Sequence, residues 1–100
     1  MNLDDVLRDI HAMREDLLVF ERKYGVPTEI FYEAYQRGEE PSDSSWVLDW
    51  SEWAGSYQIL QERLSFFTNE SQKLIQSARI TSYVDLIDRM ARHESLPVAH

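Results

Sequence analysis

Residues 3–24 read LDDVLRDIHAMREDLLVFERKY, and within them Leu3, Val6, Ile10, Met13, Leu17, Phe20 and Tyr24 recur at spacings of 3, 4, 3, 4, 3 and 4. Alternating steps of three and four return to one side of a 3.6-residue helix, so the seven form a single apolar stripe over three heptads. Charged residues such as Asp4, Arg8, Glu15 and Arg22 fall between them, on the side left to water. Asp4 and Arg8 stand four apart in the favourable order for an ion pair. Gly25 follows the last stripe residue and can adopt the left-handed conformation that ends a helix.

A second stripe answers the first. Trp46, Trp50, Trp53, Tyr57, Leu60, Leu64 and Phe67 are spaced 4, 3, 4, 3, 4 and 3. Between the two stripes, Pro27-Thr28 opens a short helix with Thr28 as its expected N-cap. Ile30, Phe31, Ala34 and Tyr35 share one of its faces, and Gly38 stops it ahead of a polar loop over 38–45. Two stripes of this length, joined by a short helix, predict an antiparallel hairpin over about residues 3–24 and 46–67.

In the last third the stripe decays into Ser71, Leu74, Ala78 and Thr81. The third helix therefore either runs on through about residue 79 or breaks near Thr68-Asn69. Ser82 followed by Asp85 resembles a capping box with Asp in place of Glu, and it predicts a C-terminal helix. Tyr83, Leu86, Ile87 and Met90 would share a face of that helix, and Asp85 and Arg89 are placed to pair. The expected fold is all-α: an antiparallel helical hairpin with a short intervening helix and a C-terminal helix. A single domain is expected over 1–93, with a disordered tail over 94–100.

Composition narrows the functions. The 100 residues suit one modest core, and the absence of cysteine excludes disulfides, thiolate metal sites and cysteine nucleophiles. The first residues, Met1-Asn2-Leu3-Asp4-Asp5, are acidic, unlike a signal or transit peptide, and no apolar run approaches the roughly 20 residues that span a bilayer. A cytoplasmic location is expected. The net charge of −8 is uneven: residues 1–62 hold 14 Asp/Glu and 5 Lys/Arg, whereas residues 63–100 hold 4 and 5. Such an acidic body repels nucleic acid and anionic membrane and attracts a basic protein. The helix opening at Trp46 carries Asp49 and Glu52 and meets no Lys or Arg until Arg63, so it lacks the donors of a DNA-recognition helix.

Signs of catalysis are missing. There is no glycine-rich phosphate loop and no nucleophile–base set, and the carboxylates fall mainly between the apolar stripes. His11 and Glu15 are four apart but lack a third metal ligand. The chain is expected not to be an enzyme and to need neither cofactor nor metal. What stands out instead is apolar surface. Trp46 and Trp50 lie where the hairpin should fray, and Tyr32 lies off the apolar face of the second helix. The face of Tyr83, Leu86, Ile87 and Met90 needs something to pack on, because so short a helix is unstable alone. These seven residues are the expected partner-binding set.

The stretch Lys23-Tyr24-Gly25-Val26-Pro27-Thr28-Glu29-Ile30-Phe31-Tyr32, with Tyr35, Gly38-Glu39, Glu52-Trp53, Tyr57, Leu60 and Leu64, resembles small acidic all-helical prokaryotic proteins encoded beside a toxin. The resemblance covers roughly residues 15–66. The chain departs from the pattern in its longer acidic loop, in Trp46 and Trp50, and in about 30 further C-terminal residues. What the resemblance implies is an antitoxin-like binding protein that neutralises a basic partner toxin, often a nuclease, by direct contact. The alternative is a self-associating helical scaffold that forms a homodimer without a toxin partner.

Overall fold

A computed structural model of the protein describes residues 1–98. The chain is all-α, as expected. Helix α1 spans Leu3–Tyr24, α2 spans Thr28–Gln36, α3 spans Val47–Gln76 after a 3-10 turn over Ser44–Trp46, and α4 spans Tyr83–Ala91. The chain gathers into two compact units. A central unit comprises His11–Gln61, and a terminal unit joins Met1–Ile10 to the chain from Glu62 onward.

In the central unit the second half of α1 and the first half of α3 pair antiparallel. Tyr24 meets Trp46 edge-on at 5.4 Å and Asp49 through its hydroxyl, while Phe20 stacks on Trp53 at 5.7 Å. Leu17, Phe31, Trp53, Ala54 and Leu60 are buried here, and each large side chain among them contributes roughly 1.5–3 kcal/mol of hydrophobic stabilisation before entropy is counted. Helix α2 lies on this pair, with the ring of Phe31 parallel to Trp53 at 3.8 Å.

Thr28 is not the N-cap of α2. Pro27 occupies that position with no side-chain cap, and Thr28 is the first helical residue, fully buried. The cap comes from α1: the Glu21 carboxylate accepts from the Thr28 backbone N–H at 2.8 Å and from its hydroxyl at 2.7 Å. An anion at a helix N-terminus satisfies an orphan donor and the helix dipole together. At the other end Gly38, at φ 79°, ends α2 with Gly38 N–H bonded to Tyr35 and Glu39 N–H to Ala34, the Schellman pattern.

The core of the terminal unit is Leu3, Val6, Ile10, Leu74, Ile80, Leu86, Leu96 and Val98. Helix α3 does not break at Thr68-Asn69. Ser71 is buried and its hydroxyl donates back to the Phe67 carbonyl at 2.8 Å, so a small polar residue holds the stripe position without interrupting the helix. The helix ends at Gln76, closed by a turn in which Ala78 takes φ 59° while Ala78 and Arg79 donate to Ile75 and Leu74. Ser82 caps α4 as expected, accepting from Asp85 N–H at 3.1 Å, and Asp85 accepts from Thr81 N–H in return. Arg89 pairs with Asp85 at 3.1 Å; Arg8 pairs with Asp5 rather than Asp4.

Residues 94–98 are not the free tail anticipated. The Leu3 N–H donates to the Leu96 carbonyl, the Val98 N–H to that of Met1, and Asn2 and Pro97 form an antiparallel bridge. Leu96 and Val98 are buried. The rest of the expected tail, Ala99 and His100, lies outside the described residues.

Candidate protein-binding surface

The seven expected partner-binding residues fall in both units. In the central unit the Trp46 ring is held edge-on by Tyr24 but keeps 37% of its surface open. Trp50 is half-buried against Phe31 at 5.3 Å, and its indole N–H is shut from solvent without a hydrogen-bond partner. Beside it a shallow hollow is lined by Glu39, Glu40, Pro41 and Val47. Tyr32 meets Tyr57 at 4.8 Å, and its hydroxyl accepts from the Gln58 amide at 3.1 Å. In the terminal unit α4 turns Leu86 into the core and leaves Tyr83 and Ile87 exposed, with Met90 half-buried between these extremes. Val84, which the sequence reading passed over, is exposed beside them.

The larger opening is a groove of about 460 Å³ on the central unit, lined by Asp16, Val19 and Phe20 of α1 and by Glu52, Gly55, Ser56 and Ile59 of α3. Spacings of three and four on both helices make it the crevice between two antiparallel rods. Gly55 lines it without a side chain, and a Cβ added there meets nothing within 4 Å. Val19 is 60% exposed and Ile59 42%. Leu48, 68% exposed, stands four residues before Glu52 and extends the same α3 stripe. The ring and side-chain hydrogen-bond contacts that α2 makes to α3 run through Trp50, Trp53, Tyr57 and Gln58, none of which lines the groove.

Charge is concentrated on the same unit. It holds 10 Asp/Glu and 4 Lys/Arg, a balance of −6. Lys23 pairs with Asp49 at 2.6 Å and Arg37 with Glu33 at 2.6 Å. Hydrogen bonds from Lys23 and then Tyr24 hold the Asp49 carboxyl below its ordinary range. Asp16 and Glu52, on the groove walls, have no ion pair among the described residues. No group of three or more His, Asp or Glu among the described residues is arranged to hold a metal, and no helix is long and apolar enough to cross a membrane.

The groove residues other than Phe20 were missed because they lie off the stripes that decide the fold. A signal was present. Leu17-Leu18-Val19-Phe20 is a run of four apolar residues where a two-residue seam needs fewer, Ile59 adds a second apolar residue beside Leu60, and Gly55 stands inside a long helical pattern. Comparison with known proteins adds no further assignment: no protein family, no curated protein and no solved structure matches the chain.

Proposed function

We propose that the chain is a cytoplasmic, non-enzymatic binding protein that engages a basic protein and, in the manner of the antitoxin-like proteins it resembles, neutralises it by direct contact. The observation that carries this reading is the conjunction, on one compact unit, of a −6 charge balance with exposed apolar side chains bordered by carboxylates that have no ion pair among the described residues. Like-charged clusters of this kind raise the encounter rate with a cationic protein, and apolar surface beside them supplies the binding energy that screened charges alone do not. No catalytic residue and no cofactor enters this function. Trp46 and the exposed residues of α4, Tyr83 and Ile87, are further contact candidates.

The test is co-expression with the product of the gene adjacent to its own. Relief of that product's growth arrest, together with a complex that survives gel filtration and associates more slowly as salt is raised, is the expected result. Failure of the two chains to associate at low salt removes the proposal. Self-association is the second reading, favoured by the exposed Tyr83, Val84 and Ile87 on α4. It predicts a dimer of the protein alone that Ile87→Glu converts to a monomer.

A further inference from the structure

The groove between α1 and α3 has the shape of an empty helix position. On α3 the Trp50, Trp53 and Tyr57 side receives α2, whereas none of the ring and side-chain hydrogen-bond contacts to α2 among the described residues falls on Leu48, Glu52, Gly55 or Ile59. A crevice between two antiparallel helices is where a third rod packs ridge into groove. Gly55 puts no side chain into the groove, so a notch is left where a Cβ would have open space, and Val19 and Ile59 line the same groove. We infer that this groove takes one amphipathic, cationic α-helix of a protein partner, seating a bulky apolar side chain over Gly55 and setting Lys or Arg against Asp16 and Glu52.

The inference rests on the basic-partner reading and specifies the element the partner presents. Leu48 to Ile59 covers about 16 Å at the helical rise, which matches about three turns of a docked helix. Apolar anchors spaced i, i+7 and i+11 on that helix would match the steps from Leu48 to Gly55 to Ile59 in turn. Charge decides against a second copy as the occupant. Isologous pairing of this face sets Asp16 and Glu52, already on a unit of −6 balance, against their own images. A cationic helix neutralises the same two carboxylates.

The probe is a fluorescein-labelled synthetic helix of about 15 residues, with Leu at the three anchor positions and Lys at the flanking ones, titrated with the full chain by anisotropy. The deciding variant is Gly55→Leu, which fills the notch without changing charge; its Cβ has open space, and retention of the fold is checked by the urea midpoint. Val19→Gln, at an exposed wall position, is the second variant. Each should weaken peptide binding by at least about tenfold, a loss of 1.4 kcal/mol. The same peptide with Ser in place of its Leu anchors should bind the native chain as weakly. Equal binding by native, Gly55→Leu and Val19→Gln proteins means that charge alone attracts the peptide, and it overturns the inference. Light scattering that finds a native dimer broken by Gly55→Leu overturns it too, in favour of a second copy. If the Gly55→Leu and Val19→Gln proteins still neutralise the basic partner, the groove is wrong and the basic-partner reading stands. If the native chain associates with no basic partner, the reading itself fails.

Discussion

The indole N–H of Trp53 donates to the hydroxyl of Thr28 at 3.0 Å, inside a core where both residues are almost wholly buried. That hydroxyl in turn donates to Glu21, so three helices are joined by one chain of bonds running from α3 through α2 to α1. The Trp53 indole N–H and the Thr28 hydroxyl depend on this chain for their partners, because both are buried from water, and it ends on the half-buried Glu21.

Thr28→Val keeps the shape of the side chain and removes the link. It leaves the Trp53 indole N–H without an acceptor and Glu21 with one donor fewer. Leaving a buried polar group unsatisfied costs about 1–3 kcal/mol, and the expected loss in urea unfolding is of that size. An unchanged midpoint would mean that the hydroxyl carries no load. Trp53 fluorescence should shift in the variant even where the fold is intact.

Leu17 and Leu60 are both buried on facing helices of the central unit. Leu17→Ala and Leu60→Ala should each destabilise by roughly 2–5 kcal/mol, as truncations that leave a cavity do. Losses below about 0.5 kcal/mol in either would contradict the burial.

The stripes made α1, α3 and their antiparallel pairing legible, since a heptad of large apolar residues has few other ways to leave water. Helix ends were legible where glycine marks them, at Gly25 and Gly38. They were not where alanine or histidine takes the same conformation: Ala78 and His93 both stand at φ 59° in Schellman turns that nothing in their side chains announces. The pairing of residues 94–98 depends on Asn2 and Leu3, over 90 residues away, which no local pattern encodes. The cap of α2 comes from Glu21, in a different helix. The tryptophans were visible as a cluster, but their division between core and surface follows from the position of α2, which packs Phe31 against Trp50 and Trp53.

Ala78→Gly and His93→Gly should therefore each stabilise the protein. An L-residue in the left-handed region costs about 1–2 kcal/mol relative to its preferred backbone, and glycine recovers part of this against its own larger unfolded-state entropy. A net gain of about 0.5–1 kcal/mol in thermal or urea unfolding is expected. Destabilisation by both would show that the turns are not in the left-handed region.

Asp49 gives the stability curve two limbs. Its carboxyl is held below the ordinary 3.8 by the hydrogen bonds from Lys23 and then Tyr24. A depressed acid contributes stability that is complete above its unfolded value and is lost as pH falls through its folded one. Lys23 is raised above 10.5 chiefly by its hydrogen bond to Asp49, and Tyr24 above 10.0 by burial first and that same carboxylate second. Raised groups contribute stability that is complete below their unfolded values and is lost as pH rises through the folded ones. The difference between the native protein and Asp49→Asn should thus be largest on a plateau between these limits. It should shrink below the carboxylate range and again above the lysine and tyrosine range. A difference independent of pH would dissolve the cluster.

Gly25 and Gly55 should respond to the same substitution with opposite signs. Gly25 ends α1 at φ 77°, where a Cβ is strained although space is open around it. Gly25→Ala should destabilise by about 1 kcal/mol. Gly55 lies inside α3 with no positive φ, and a Cβ there meets nothing within 4 Å. Alanine in a helix interior is favoured over glycine by about 1 kcal/mol, so Gly55→Ala should stabilise by about that amount. A glycine whose replacement improves the fold is not held in place by the fold. Its effect is to keep the groove open, and a methyl group there should already weaken the cationic helix that the groove is inferred to take, while the larger Gly55→Leu weakens it further. Urea midpoints and peptide anisotropy on the same three proteins therefore test the point together. Stability should rise from native to Gly55→Ala as binding falls; parallel movement of the two would tie Gly55 to folding rather than to the groove.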